Sequence, residues 1–209
     1  MENLEEVKKG LEGVVVAESQ IGFIDGLGGI LYYRGHDIHD LAKYSTFEEV
    51  AYLLVYGKLP TKKELANFDR KLKTSRQIPS NIIKMMHYFC KHMTPMEALR
   101  TTVSALACGD PDARKVSMEA QRNVGIGLIA KFPTIVATYY RIHHNMKIVK
   151  PDVRLGHAAN FLYMIHGKEP DKVSEKSMDM DFVLHAEHGF NASTFAARVT
   201  ISTLSDMHS

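Results

Sequence analysis

Between residues 185 and 193 the chain reads HAEHGFNAS, which packs two imidazoles, a carboxylate, an amide and a hydroxyl into one short run. His185 and His188 lie three apart, a spacing that puts both side chains on one face of a helix or on its last turn. Such a patch could ligate a metal, polarise a carbonyl or cap a helix end. Metal hydrolases of the HExxH or HxxEH kind set their histidines four apart. The spacing here is three, and no third ligand set follows. His185-Ala-Glu187 matches the HxE of zinc deaminases, which also need a downstream PCxxC. The two cysteines, Cys90 and Cys108, both lie upstream and far apart. A metal-dependent hydrolase built on His185, Glu187 and His188 is thus the lesser alternative, and no metal site is expected. There is no GxSxG, and neither cysteine has motif context. The plain structural alternative is that His185 and His188 cap a helix C-terminus, where donors meet unpaired carbonyls. The remaining histidines, His157 and His208 among them, are isolated or merely adjacent to one another and carry no pattern.

The elements that would position this patch are mostly helical. Residues 14–33 carry β-branched and aromatic residues punctuated by glycine, predicting two or three short strands with a turn around Asp25–Gly29. Gly26, Gly28 and Gly29 do not fit GxGxxG, so a hairpin is expected rather than a cofactor loop. Three capping boxes then mark helix starts: Thr46 with Glu49, Thr61 with Glu64, and Thr94 with Glu97, the last with Pro95 at the first helical position. Apolar stripes at helical spacing follow: Phe47, Val50, Ala51 and Leu54; Leu99, Thr102, Val103 and Leu106, with Thr102 the weak member; Ala158, Phe161, Leu162 and Ile165; and Ala192, Phe195, Ala196 and Val199. Short Gly- and Pro-bearing breaks separate eight or nine helices in one mostly α-helical unit. The last periodic run starts near Asn191 and continues to Leu204 without a Gly or Pro stop, which predicts exposed apolar surface there.

Composition sets the class. The 209 residues are 45% hydrophobic and 24% charged, with a net charge of +2. These values suit a soluble globular protein, and the scattered basic residues form no nucleic-acid stripe. Two cysteines without a framework fit a reducing cytosol. The N-terminus MENLEEVKKGLEG lacks the apolar core of a signal peptide, and no run approaches the length of a membrane span. The expected location is cytoplasmic.

The run His185-Ala-Glu-His-Gly-Phe-Asn-Ala-Ser-Thr-Phe-Ala-Ala-Arg-Val199, followed by Ser202-Thr-Leu-Ser-Asp-Met207, resembles the bacterial and archaeal citrate synthases. Their usual form is H-A-D-H-E-x-N-A-S-T followed by T-L-S-D-x-Y-S. Similar pieces occur in the family's order along nearly the whole chain: Gly10-Leu-Glu-Gly13, Tyr33-Arg-Gly-His-Asp-Ile38, the Phe47–Pro60 run, Pro95-Met-Glu-Ala-Leu-Arg100 and Asn160-Phe-Leu-Tyr-Met-Ile-His-Gly167. The sequence departs from the motifs at Glu187 for Asp, Gly189 for Glu, and His208 for Tyr.

The resemblance implies a citrate-synthase-like helical large domain, of which residues 1–209 are the N-terminal part, with the small domain absent. It implies condensation of acetyl-CoA, a co-substrate rather than a cofactor, with oxaloacetate, or of propionyl-CoA in the methylcitrate branch. It also implies that His188 is the oxaloacetate-binding histidine, with Ser193 and, less directly, Asn191 as supporting residues. The family's two catalytic histidines and its aspartate fall in motifs beyond Ser209, so the chain alone is expected not to turn over. The implied partners are a second copy, through helices matching Pro95–Cys108 and Ser117–Ala130, and a complementary C-terminal chain. A non-enzymatic dimerisation or dicarboxylate-binding module is the main alternative.

Overall fold

The computed structural model describes residues 17–209; the Gly10–Gly13 match and the first residues of the expected strand region lie outside them. Among the described residues the order is a three-stranded antiparallel sheet followed by nine α-helices, with one 3₁₀ turn at Ala107–Gly109. The strands are β1 (Gly22–Asp25), β2 (Ile30–Tyr33) and β3 (His36–Asp37), paired in that order. The hairpin turn falls where the glycines and Asp25 predict it, and the Asp25 carboxylate accepts the amides of Leu27 and Gly28. The sheet is displaced from its expected range, because residues 17–21 are not strand and a third strand follows Tyr33.

The helices are α1 (Ile38–Tyr44), α2 (Phe47–Tyr56), α3 (Lys62–Ser75), α4 (Ser80–Phe89), α5 (Pro95–Leu106), α6 (Met118–His143), α7 (His157–His166), α8 (Lys172–Leu184) and α9 (Ala192–Ile201). All three capping boxes form, opening α2, α3 and α5 with reciprocal bonds between threonine and glutamate. Thr102, the weak member of its stripe, is fully buried; its hydroxyl donates to the Ala98 carbonyl at 2.7 Å, so the polar atom needs no outside partner.

Three apolar clusters hold the helices together. The first joins α4, α5 and α6 through Met86, Cys90, Ala98, Leu106, Ile135 and Tyr139. The second joins β2, α1, α2 and α8 through Tyr33, Leu41, Val50, Leu53 and Val183, and it is the one beneath the candidate site. The third sets α3 and α2 on the middle of α6 through Phe68, Leu72, Tyr52 and Ile126.

Irregular segments are tied down by buried polar side chains. Arg76 is almost wholly buried and its Nη1 donates to the carbonyls of Asp152 and Leu155, each at 2.9 Å. Arg141 likewise reaches the Lys147 carbonyl and, at 2.8 Å, that of Ile165. These are the backbone groups that water would satisfy in an exposed loop.

The end of the described chain departs from expectation in the length of its helix and agrees with it in the exposure of its apolar residues. The helix starting after Asn191 stops at Ile201 rather than continuing to Leu204, which takes a left-handed φ of 61°. The stripe of Ala192, Phe195, Ala196 and Val199 finds no core: α9 buries none of its residues, and Val199, Ile201 and Leu204 stay exposed. His208, unremarkable in sequence, is buried. Its Nδ1 lies 3.1 Å from the Val103 carbonyl and its Nε2 lies 3.3 Å from Asp110, which seats this segment beside α5. Gly125 also faces this segment: a Cβ there would lie 3.4 Å from the Met207 Cε, in van der Waals contact.

Candidate active-site corner

The candidate site is built from the end of α8 and the turn after it. Asp171 caps the start of α8 by accepting the amides of Val173 and Ser174. The helix ends at Leu184, so His185 and His188 do not share a helical face. His185 is the C-cap residue, and its Nδ1 turns back to the Asp181 carbonyl at 2.8 Å. A ring nitrogen facing a carbonyl must carry the proton, so His185 terminates the helix as a donor. The helix-capping alternative therefore holds for His185. His188 does not cap: it stands exposed in the turn between α8 and α9.

What sets this turn is the sheet. Tyr33 at the end of β2 is fully buried, and its hydroxyl lies 3.0 Å from the carbonyl oxygens of both Leu184 and Glu187 and 3.2 Å from the Glu187 amide nitrogen. The phenol can donate its one proton to a carbonyl and accept the Glu187 N–H at the same time. Burial pushes the phenol's ionisation upward, so it stays a neutral donor. Sequence reading placed Tyr33 in a motif without giving it a task. The available signal was a tyrosine on a core strand position, whose hydroxyl must find a partner.

Two of the three departures from the family motif, Gly189 and Glu187, fit their local geometry. Gly189 has a φ of 67°, in the left-handed region that glycine enters without strain. Glu187 lies against Gly22: a Cβ there would come within 3.1 Å of the Glu187 Cγ. The longer carboxylate fits because β1 offers no side chain at that point.

Asn191 is the N-cap of α9, its Oδ1 accepting the Thr194 amide at 2.7 Å. Ser193 sits exposed on the first turn of α9. A cleft of about 850 Å³ between α7 and α8 is lined by His166, Lys168, Asp171 and Asp181, and none of His188, Asn191 or Ser193 borders it. Among the described residues no three His, Cys, Asp or Glu side chains gather in a way that could hold a metal ion. No described helix is long and apolar enough to cross a membrane.

Comparison with known proteins decides the family. Residues 10–209 match the model described as "Citrate synthase, C-terminal domain". The chain belongs to the citrate synthase family. The citrate synthase of Haloferax volcanii is 46% identical over 98% of this chain and 55% of its own length. The 2-methylcitrate synthase of Shewanella oneidensis is 41% identical over 96% of this chain and 53% of its own. The crystal structure of citrate synthase from Pyrobaculum aerophilum superposes with a TM-score of 0.91 at 41% identity, covering 95% of this chain and 51% of that one. The chain thus spans about half the length of the citrate synthases it matches. This is an acyltransferase family of mostly helical fold, and the helices and small sheet found here are that fold.

Proposed function

We propose that this chain serves a citrate-synthase-type condensation of acetyl-CoA with oxaloacetate, giving citrate and CoA, and that its own contribution to the chemistry is His188. The observation that carries the proposal is the position of His188: exposed, in the order of the family motif, on a turn fixed by main-chain bonds to a buried tyrosine. An imidazole N–H presented in this way can donate to a keto-dicarboxylate, a charge-assisted bond. It orients the ketone for attack without itself transferring a proton. Asn191 and Ser193 support it from the start of α9, Asn191 by setting the helix that follows.

The reaction also needs a carboxylate to take a proton from the thioester methyl group, a neutral imidazole to stabilise the enol, and a second imidazole to polarise the ketone. In this proposal those groups come from sequence matching the other half of the relatives. Residues 1–209 form the N-terminal part of the helical large domain, the small domain lies with the rest, and the setting is cytoplasmic. No cofactor or metal is involved. A homodimer is part of the proposal and has support on α6, where Phe132, Val136 and Tyr140 recur every four residues and each remains more than a third exposed.

Thiol release from acetyl-CoA and oxaloacetate tests the proposal, with the chain alone and mixed with a chain supplying the other half of a relative. The expected result is no turnover alone and turnover in the mixture, with His188→Ala raising the oxaloacetate KM about 10- to 100-fold, the range for a lost hydrogen bond to a charged group. Turnover by the lone chain would refute this division of labour. Dicarboxylate binding with no turnover in any mixture would instead establish the non-enzymatic module.

A further inference from the structure

We infer that Tyr33 is a positioning residue for His188, and that the small sheet is the template on which the turn carrying this imidazole is set. The functional half of this inference rests on the proposal that His188 meets oxaloacetate. The structural half stands on the geometry alone.

The Tyr33 hydroxyl bridges both ends of the turn, reaching the carbonyl of Leu184, the last residue of α8, and both the carbonyl and the amide of Glu187, the residue before His188. Tyr33 pairs across the β1–β2 ladder with Gly22. Gly22 is also the residue whose missing side chain makes room for Glu187: a Cβ there would lie 3.1 Å from the Glu187 Cγ. One cross-strand pair therefore touches the main chain and the side chain of the same residue. On the other side of His188, a Cβ on Gly189 would lie 3.8 Å from Ile24 Cγ2, again on β1. His188 is exposed while the residues on either side of it face the sheet, so the backbone held beneath it fixes where its Cα–Cβ bond leaves the surface. Tyr33 itself is locked in the apolar cluster of Leu41, Val50, Leu53 and Val183, which gives the hydroxyl a rigid base. This is how a substrate-binding side chain on a loop acquires the precision of the scaffold below it.

Tyr33→Phe removes one oxygen and leaves the ring in its cluster. In the 209-residue chain, hydrogen exchange at the Glu187 amide is expected to rise roughly five- to tenfold, the effect of one lost hydrogen bond, with α5 and α6 amides unchanged. In the two-chain mixture the oxaloacetate KM should rise about tenfold, while the acetyl-CoA KM stays within about twofold. Unchanged exchange at Glu187 in Tyr33→Phe overturns the anchoring. Unchanged oxaloacetate KM in Tyr33→Phe, when His188→Ala does raise it, overturns the positioning role and leaves the function intact. If His188→Ala also leaves that KM unchanged, or the mixture never turns over, the functional proposal fails, and exchange at the Glu187 amide alone decides the anchoring.

Discussion

The Glu48 carboxylate accepts the backbone N–H of His157 at 2.8 Å, joining α2 to the first residue of α7 across 109 positions of sequence. The N-cap of α7 is Gly156, which has no side chain to offer, so a carboxylate from another helix takes the capping role. Both partners are buried, and the His157 ring stacks on Phe47 with centroids 4.5 Å apart.

This pair makes stability depend on pH in two opposed ways. Burial, reinforced by the nearby Arg76 guanidinium, holds the His157 imidazole down to about 3 from its ordinary 6.5. Its contribution to stability is therefore full above about 6.5 and is lost as pH falls toward about 3. Burial raises the Glu48 carboxyl, opposed by its bond to the His157 amide and assisted by Asp179 and Asp69. Its contribution is present below the ordinary carboxylate value and lost as pH rises through the raised one. Between pH 6.5 and 5, His157 is expected to remove about 2 kcal/mol of stability. His157→Gln should flatten this acid slope in urea unfolding. Glu48→Gln, which keeps an acceptor for the amide, should raise stability more at pH 7.5 than at pH 4.5. A wild-type slope in His157→Gln would refute the assignment.

Arg76→Ala should be among the most damaging single changes. It strands the Leu155 carbonyl, leaves that of Asp152 with only a long 3.4 Å bond from the Leu155 amide, and opens a void at a site that is 1% exposed. A loss of about 3 kcal/mol or more is expected, from unsatisfied acceptors and the cavity together. Urea midpoints at pH 7 give the value, and a loss under about 1 kcal/mol would show that the loop is held by other contacts.

Thr94→Ala tests the local end of the hierarchy. It removes the hydroxyl that accepts the Glu97 amide and half of the box that opens α5. The expected loss is about 1 kcal/mol, appearing as a lower denaturation midpoint with an unchanged slope. A change within a few tenths would mean that packing of Ala98, Thr102 and Leu106 alone fixes this helix start.

The features legible in the sequence were those decided by near neighbours. Thr46, Thr61 and Thr94 each satisfy a glutamate three residues on, so the helix starts could be placed without knowing the fold. The Asp25–Gly29 turn was legible for the same reason, and the ordered motifs carried the family. At the last helix periodicity gave an apolar face and its exposure correctly but overran the end: α9 stops at Ile201, where Leu204 was the expected limit.

The site divides along the same line. Sequence alone brought His185, Glu187 and His188 together and named His188, but it set both histidines on one face of a helix or on its last turn. Tertiary structure ended the helix at Leu184, turned His185 back on Asp181 and stood His188 out on a turn. The reason is distance along the chain. The Tyr33 hydroxyl reaches Glu187 across 154 residues, and Glu48 reaches His157 across 109. No local propensity encodes such bonds, because they form only after the apolar clusters have brought β2, α2, α7 and α8 together.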